Sequence, residues 1–208
     1  MKTRHAVLAA ILLSLTTAAP GAAVAQSAPI AASAEAVGPT AYRIDPTHAQ
    51  ARITWNHMGL SRPGATFETI EGVIRIDTAD PTKSSVAVTI PVSGADTGVP
   101  ALDAMFQNAD FFDAARHPNI TFQSREVRFT GLGNRFQVLG DLTVRGVTRP
   151  VVLDAVLNGA GPHPMTGAPS VGFSASTTLK RSDFGLGVAL PVVGDEIDVQ
   201  ITVEAVAQ

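Results

Sequence analysis

The chain has 208 residues, a formal net charge of −3 and no cysteine. That length accommodates one domain or at most two. The absence of thiols excludes disulfides, thiolate metal sites and a cysteine nucleophile, and the scattered Lys and Arg residues form no patch that would neutralise phosphates, so nucleic acid is a poor partner.

Lys2, Arg4 and His5 form a basic start, Ala6 to Ala19 an apolar run too short to span a bilayer, and Ala23-Val24-Ala25 a small-x-small cleavage site. Residues 1–25 therefore read as a secretory signal peptide, and the expected location is the periplasm. Its removal takes away Lys2 and Arg4 and no acid, leaving 13 basic and 18 acidic side chains, a net of −5. Residues 26–40, rich in Ala, Ser, Pro and Gly, read as a flexible leader. The remaining 41–208 read as one domain. No run of ~20 apolar residues lies outside the N-terminus, so no transmembrane helix is expected in the mature chain.

From Tyr42 onward the sequence alternates with period two. Ala51, Ile53 and Trp55 alternate with Gln50, Arg52 and Thr54; Ile70, Gly72, Ile74 and Ile76 with Glu71, Arg75 and Asp77; Val86, Val88, Ile90 and Val92 with Ser85, Ala87 and Thr89. These are half-buried strands. From Pro100 to Asp113 the period changes. Leu102, Met105, Phe106, Ala109 and Phe112 follow helical spacing, opposite Asp103, Gln107, Asp110 and Asp113. Pro100 suits a first helical position, and His117-Pro118 imposes an extended exit.

Strands resume at Asn119–Phe129. The stretch Phe136–Ala155 then reads as a hairpin about Arg145-Gly146. If Val144 faces Val147, Gly140 opposes Val151, Val138 opposes Leu153, and Phe136 opposes Ala155, which makes one face apolar. Arg145 is not favoured in a type I′ turn, so the turn type stays open. Pro150 calls for an edge, a bulge or a gap in pairing. A Gly/Pro-rich loop is expected at Gly159–Pro169. Val171 to Leu179 and Ile197 to Ala205 supply two more alternating strands.

About eight strands and one helix define an all-β protein whose sheet must close on itself or pack on another. Eight strands close into a barrel just wide enough to be filled or to hold one slim ligand. Small residues on the apolar face (Ala51, Gly72, Gly140, Ala155, Ala175) leave room for an apolar guest, or serve close sheet packing.

The polar residues carry little chemistry. There is no HxH or HExxH spacing, no GxSxG elbow, no P-loop and no dinucleotide fingerprint. Asp45/His48 and Asn56/His57 meet only if a bend unites them. Arg181-Ser182-Asp183-Phe184-Gly185 reads as a turn, with a buried Arg–Asp pair as the alternative. Leu102, Met105 and Phe106 serve as core or as a flap over a pocket mouth.

Six segments carry a family resemblance: Tyr42-Arg43-Ile44-Asp45-Pro46-Thr47-His48; Asn56-His57-Met58-Gly59; Asn108-Ala109-Asp110-Phe111-Phe112-Asp113; His117-Pro118-Asn119-Ile120-Thr121-Phe122; Gly140 to Pro150; and Arg181 to Gly185. In this order and spacing the chain resembles the YceI-like family, exported lipocalin-like proteins that bind polyisoprenoid lipids. The resemblance implies an eight-stranded antiparallel lipocalin-like barrel with a short helical insertion, holding a prenyl tail. It implies no catalysis, no metal and no cofactor beyond the lipid. Where the family usually shows an Arg-Asp-x-His-Leu run, this chain has Ala101-Leu102-Asp103-Ala104-Met105-Phe106, in which only Asp103 matches.

On this reading the ligand would be lined by Ile53, Trp55, His57, Phe67, Ile74, Leu102, Asp103, Met105, Phe106, Phe111, Phe112, Phe122, Phe136, Val138, Leu153, Phe173 and Phe184. The expected partner is a polyisoprenoid lipid or prenyl quinone, carried or stored. Transient membrane contact and a homodimer are compatible with it. Two rivals are an enzyme acting on a prenyl lipid, with His48, His57 or Asp103 at the mouth, and an accessory factor of a membrane electron-transfer complex.

Overall fold

The computed structural model describes residues 39–208. The expected signal peptide, and the leader up to residue 38, lie outside the described residues. Thr40, the last residue of the expected leader, already opens the first strand.

The strands are β1 (Thr40–His57), β2 (Gly64–Phe67), β3 (Glu71–Ile76), β4 (Ser85–Pro91), β5 (Ala95–Asp96), β6 (Asn119–Phe129), β7 (Arg135–Val144), β8 (Val147–Pro162), β9 (Pro169–Lys180) and β10 (Val193–Ala207), with one α-helix, α1 (Pro100–Gln107). Two of the arms are broken. β3 pairs with the start of β1 and β2 with its far half, so β2 and β3 are two pieces of one arm; β5 continues β4 in the same way beside β2. Counting each broken arm once gives eight. β10 also pairs with β1 over most of its length, from Tyr42↔Ala207 to His57↔Val193. The antiparallel sheet is thereby a closed barrel, which leaves no sheet edge among these arms.

Alternation decides which way each side chain points. Ile44, Ala51 and Trp55 of β1, Val138 and Val144 of β7, and Val203 and Ala205 of β10 all face inward and are buried. The hairpin register is as the sequence predicts: Val144↔Val147, Gly140↔Val151, Val138↔Leu153 and Phe136↔Ala155. The turn is type I′, since Arg145 (φ 51°) and Gly146 (φ 73°) are both left-handed. Arg145 holds that conformation because its guanidinium donates to the Ala109 carbonyl at 2.6 Å and the Gly185 carbonyl at 2.7 Å. Pro150 sits in a gap in pairing: the β8–β9 ladder begins only at Asp154.

Three expectations need correction. The helix stops at Gln107 rather than Asp113, where the Asn108 N–H turns back to the Met105 carbonyl; Phe111 and Phe112 follow in a turn that lets both adjacent rings pack inward, which a helix would not allow. The Gly/Pro-rich loop is shorter than expected, because β8 runs to Pro162 and β9 begins at Pro169. The small residues divide into two kinds. A Cβ on Gly72 would lie 2.2 Å from the Ala87 carbonyl oxygen, and one on Gly140 would lie 2.5 Å from both the Gln123 oxygen and the Phe122 ring. These two glycines serve close strand approach; the alanines serve the interior.

Within β1 the register slips between Ile44 and Ala49. The bulge is closed by Asp45, which accepts from the Thr47 N–H at 2.9 Å and from His48 Nδ1 at 2.7 Å. The His48 contact, more than the Thr47 ones, holds the Asp45 carboxyl down to about 2, while the same contact raises the imidazole of His48.

Two outcomes follow for stability. Gly140→Ala should cost about 1–3 kcal/mol in denaturant unfolding, because the methyl has no space between Phe122 and the neighbouring backbone. For Asp45 the folded pKa lies below the unfolded one, so its contribution is present above the ordinary carboxylate value and is lost as pH falls towards about 2. Thermal melts of Asp45→Asn should therefore fall below those of the parent at pH 7 and converge with them near pH 2.

Candidate functional site

The inward faces do not fill the barrel. They enclose a cavity of about 990 Å³ that runs from one end of the strands to the other. Its wall is almost wholly hydrocarbon. Of the five small inward positions, Ala51, Ala155 and Ala175 line it and the two glycines do not. Dry apolar space of this size, at the upper end of small-molecule pockets, is costly to leave empty.

Aromatic packing narrows one end. Phe106 of α1 lies 6.0 Å from Trp55 of β1, 5.8 Å from Phe111 and 5.5 Å from Phe112, ring centre to ring centre. Phe112 in turn meets Phe67 edge-on at 6.1 Å. Such offset and edge contacts favour the ring quadrupoles. Leu102 and Met105 also line the cavity, so the helix is both core and cap.

Polar groups on the wall are few. At the α1 end they are His57, Ser61 and Arg181; on β9, Thr177; at the other end, Arg75, Thr78, Ser84 and Ser85. Arg181 is committed to backbone. Its guanidinium donates to the carbonyls of Gly194, Leu186, Val188 and Val193, at 2.5 to 2.8 Å. Desolvation pushes its pKa down, against the pull of Asp195. The expected Arg–Asp alternative within this turn does not form; Asp195, from β10, instead accepts from the Ser182 N–H and hydroxyl.

Sixteen of the seventeen side chains expected at a ligand line this cavity: Ile53, Trp55, His57, Phe67, Ile74, Leu102, Met105, Phe106, Phe111, Phe112, Phe122, Phe136, Val138, Leu153, Phe173 and Phe184. Asp103 does not. Its carboxylate accepts from the Thr97 N–H at 2.8 Å and the Thr97 hydroxyl at 2.6 Å, which pins the first turn of α1. His48 and His57 are nine residues apart on one continuous strand, about 30 Å at strand rise, so the two pairs Asp45/His48 and Asn56/His57 do not meet. The three residues of the enzyme reading thus share no site. Among the described residues no cluster of three or more His, Asp or Glu has metal-binding spacing. Sequence reasoning missed Tyr42, Thr177, Arg181 and the loop residues Leu186, Val188, Ala189 and Val193; for the strand residues the period-two alternation already marked the inward face.

A closed lipocalin-like barrel around a hydrocarbon-walled hollow defines the class of protein. The family model of the YceI-like domain matches residues 42–205, and the chain belongs to that family. Relatives include a UPF0312 protein of Azotobacter vinelandii, 36% identical over 161 residues, covering 77% of this chain and 83% of the relative. Protein YceI of Escherichia coli O157:H7 is 36% identical over 169 residues, covering 80% and 87%. Among solved structures, Burkholderia cenocepacia BcnA superposes with a TM-score of 0.70 at 23% identity, over 78% of this chain and 99% of that one. The Campylobacter jejuni YCEI protein gives 0.64 at 29%, over 74% and 90%. A polyisoprenoid binding domain from Saccharophagus degradans gives 0.61 at 16%, over 81% and 99%, which establishes a shared fold.

The aromatic cap has a measurable weight. Phe106→Ala removes three ring contacts and should destabilise the protein by about 3 kcal/mol, read from denaturant midpoints.

Proposed function

We propose that the protein is a periplasmic binding protein that carries or stores a polyisoprenoid lipid, such as a prenyl quinone, in the barrel interior without transforming it. The observation that carries this reading is the continuous apolar cavity of about 990 Å³. The polyisoprenoid-binding neighbour of the same fold supports the choice of ligand class, and the basic, apolar, small-x-small N-terminal sequence supports export.

The magnitudes agree with such a guest. Taking the ~30 Å³ that a water molecule occupies in the liquid as the size of a carbon-sized group, the hollow admits on the order of 30 carbons, or about six isoprenoid units. Each buried methylene-sized group contributes ~0.8 kcal/mol. Ten of them give ~8 kcal/mol, near micromolar affinity before ordering costs. The tail therefore supplies the affinity, and His57, Ser61 and Thr177 are among the wall groups able to hydrogen-bond a head group or a polar substituent. Catalysis has no comparable support: of His48, His57 and Asp103, His57 alone lines the cavity.

Solvent extraction of the purified protein, followed by mass spectrometry, should release a prenyl lipid, and added prenyl quinone should bind to the stripped protein. Ala155→Phe and Ala175→Phe fill the hollow. Each should lower quinone binding about tenfold or more while leaving the melting temperature of the empty protein equal or higher. An empty protein that ignores prenyl quinones would sink the reading.

A further inference from the structure

We propose that the α1 end of the barrel docks on a phospholipid bilayer, with the loop Gly185–Val193 and the turn at Met58–Leu60 dipping into its surface. The inference deepens the carrier reading, since a tail that leaves a membrane for a cavity needs a dry crossing.

The loop Gly185-Leu186-Gly187-Val188-Ala189-Leu190-Pro191-Val192-Val193 contains no polar side chain. It lies beside the β1 turn, where the Met58 N–H donates to the Val192 carbonyl at 3.2 Å. Leu60 is 85% exposed and Val192 57% exposed. Met58, Met105 and Val188 are exposed as well, yet all three also line the cavity. The exposed apolar residues at the opposite end, Phe129, Leu132 and Met165, do not; there the cavity meets Arg75, Thr78, Ser84 and Ser85. At the α1 end the exposed apolar side chains are themselves part of the cavity wall, whereas at the opposite end Phe129 reaches the wall only through Phe136.

Seven of the nine backbone carbonyls of this loop have a partner within the protein, which lowers the cost of losing water there. A carbonyl facing lipid must find its partner within the protein. The carbonyls of Leu186, Val188 and Val193 accept from Arg181, that of Gly185 from Arg145, that of Gly187 from the Leu190 N–H, that of Ala189 from the Val193 N–H, and that of Val192 from Met58. A loop turned only towards water would have no need of two arginines for this purpose.

Charge and area select the occupant. Arg62, the one charged residue of the Met58–Pro63 turn, is paired with Asp198, so the two dipping segments offer no free charge to an oppositely charged protein. Met58, Leu60, Met105, Val188 and Val192 together bury on the order of 500 Å², well short of the ~800 Å² per partner of a stable protein interface. Neutral bilayer accepts such a patch without demanding complementary shape.

The test is flotation of the full chain with phosphatidylcholine vesicles, at low and high salt. The protein should float, with little dependence on salt. Leu60→Asp and Val192→Asp, both outside the cavity wall, should each lower the vesicle-bound fraction about tenfold or more. They should slow removal of a prenyl quinone from vesicles, yet leave unchanged the binding of quinone added from ethanol. Failure of the parent to float, or equal flotation of the variants, overturns docking. So does a dimer in sedimentation that Val192→Asp dissolves while vesicles remain unbound, for the rim then covers a second copy. If the parent floats and the variants do not, but ethanol-delivered quinone never binds, docking stands and the carrier reading falls.

Discussion

Closure of the sheet by β1 against β10 is the constraint on which everything else depends. The ladder between them removes the only long edges the sheet would otherwise have. It also forces every inward side chain of eight arms to share one enclosed space. With alanines at positions 51, 155 and 175, that space is wider than its walls can fill. The hollow is therefore a consequence of closure combined with side-chain volume. No polar network is needed to hold it open, because hydrogen bonds along the ladders fix the backbone ring whatever lies inside.

A ring of strands has two ends, and the chain treats them differently. One is covered by α1 and the turn after it, where Phe106 packs on Trp55 and Phe112 on Phe67. The tip of the β7–β8 hairpin reaches the same end. Arg145 there holds both Ala109, just beyond α1, and Gly185, at the start of the apolar loop. Gly146 is required twice over, by its left-handed backbone and because a Cβ would lie 2.6 Å from the His117 ring. The cap, the hairpin tip and the loop are thus tied to one another through the Arg145 guanidinium.

Much of this was legible in the amino-acid order. The period-two alternation placed the strands, and the pairing of Val144 with Val147 set the whole β7–β8 register, because a slip of one residue would expose Val138 and Val151. Barrel closure was legible only through the family resemblance, since alternation is the same in a sandwich; the physical cause is the long-range partnership of residues 42–57 with 193–207. The helix was overread for a related reason. Ala109 and Phe112 match helical spacing to Leu102 and Met105, but spacing does not register that Asn108 ends the hydrogen-bond run. Asp103 was placed at a ligand by resemblance, whereas its partner, Thr97, lies six residues earlier and satisfies it completely enough to take it out of the cavity.

The segments by which the family is recognised cast light on how labour is divided in the fold. Asn108–Asp113, the Arg145-Gly146 turn, His117 and Arg181–Gly185 all converge at the α1 end, and the two arginines among them spend their guanidinium donors on backbone carbonyls. The cavity wall itself is built from interchangeable aliphatic residues, where only volume and apolarity matter. A site made of hydrocarbon leaves a diffuse trace in a sequence, whereas the bonded scaffold around its mouth leaves a sharp one. The motif residues are in this sense the frame of the opening, and the identity of the guest is written in the bland residues between them.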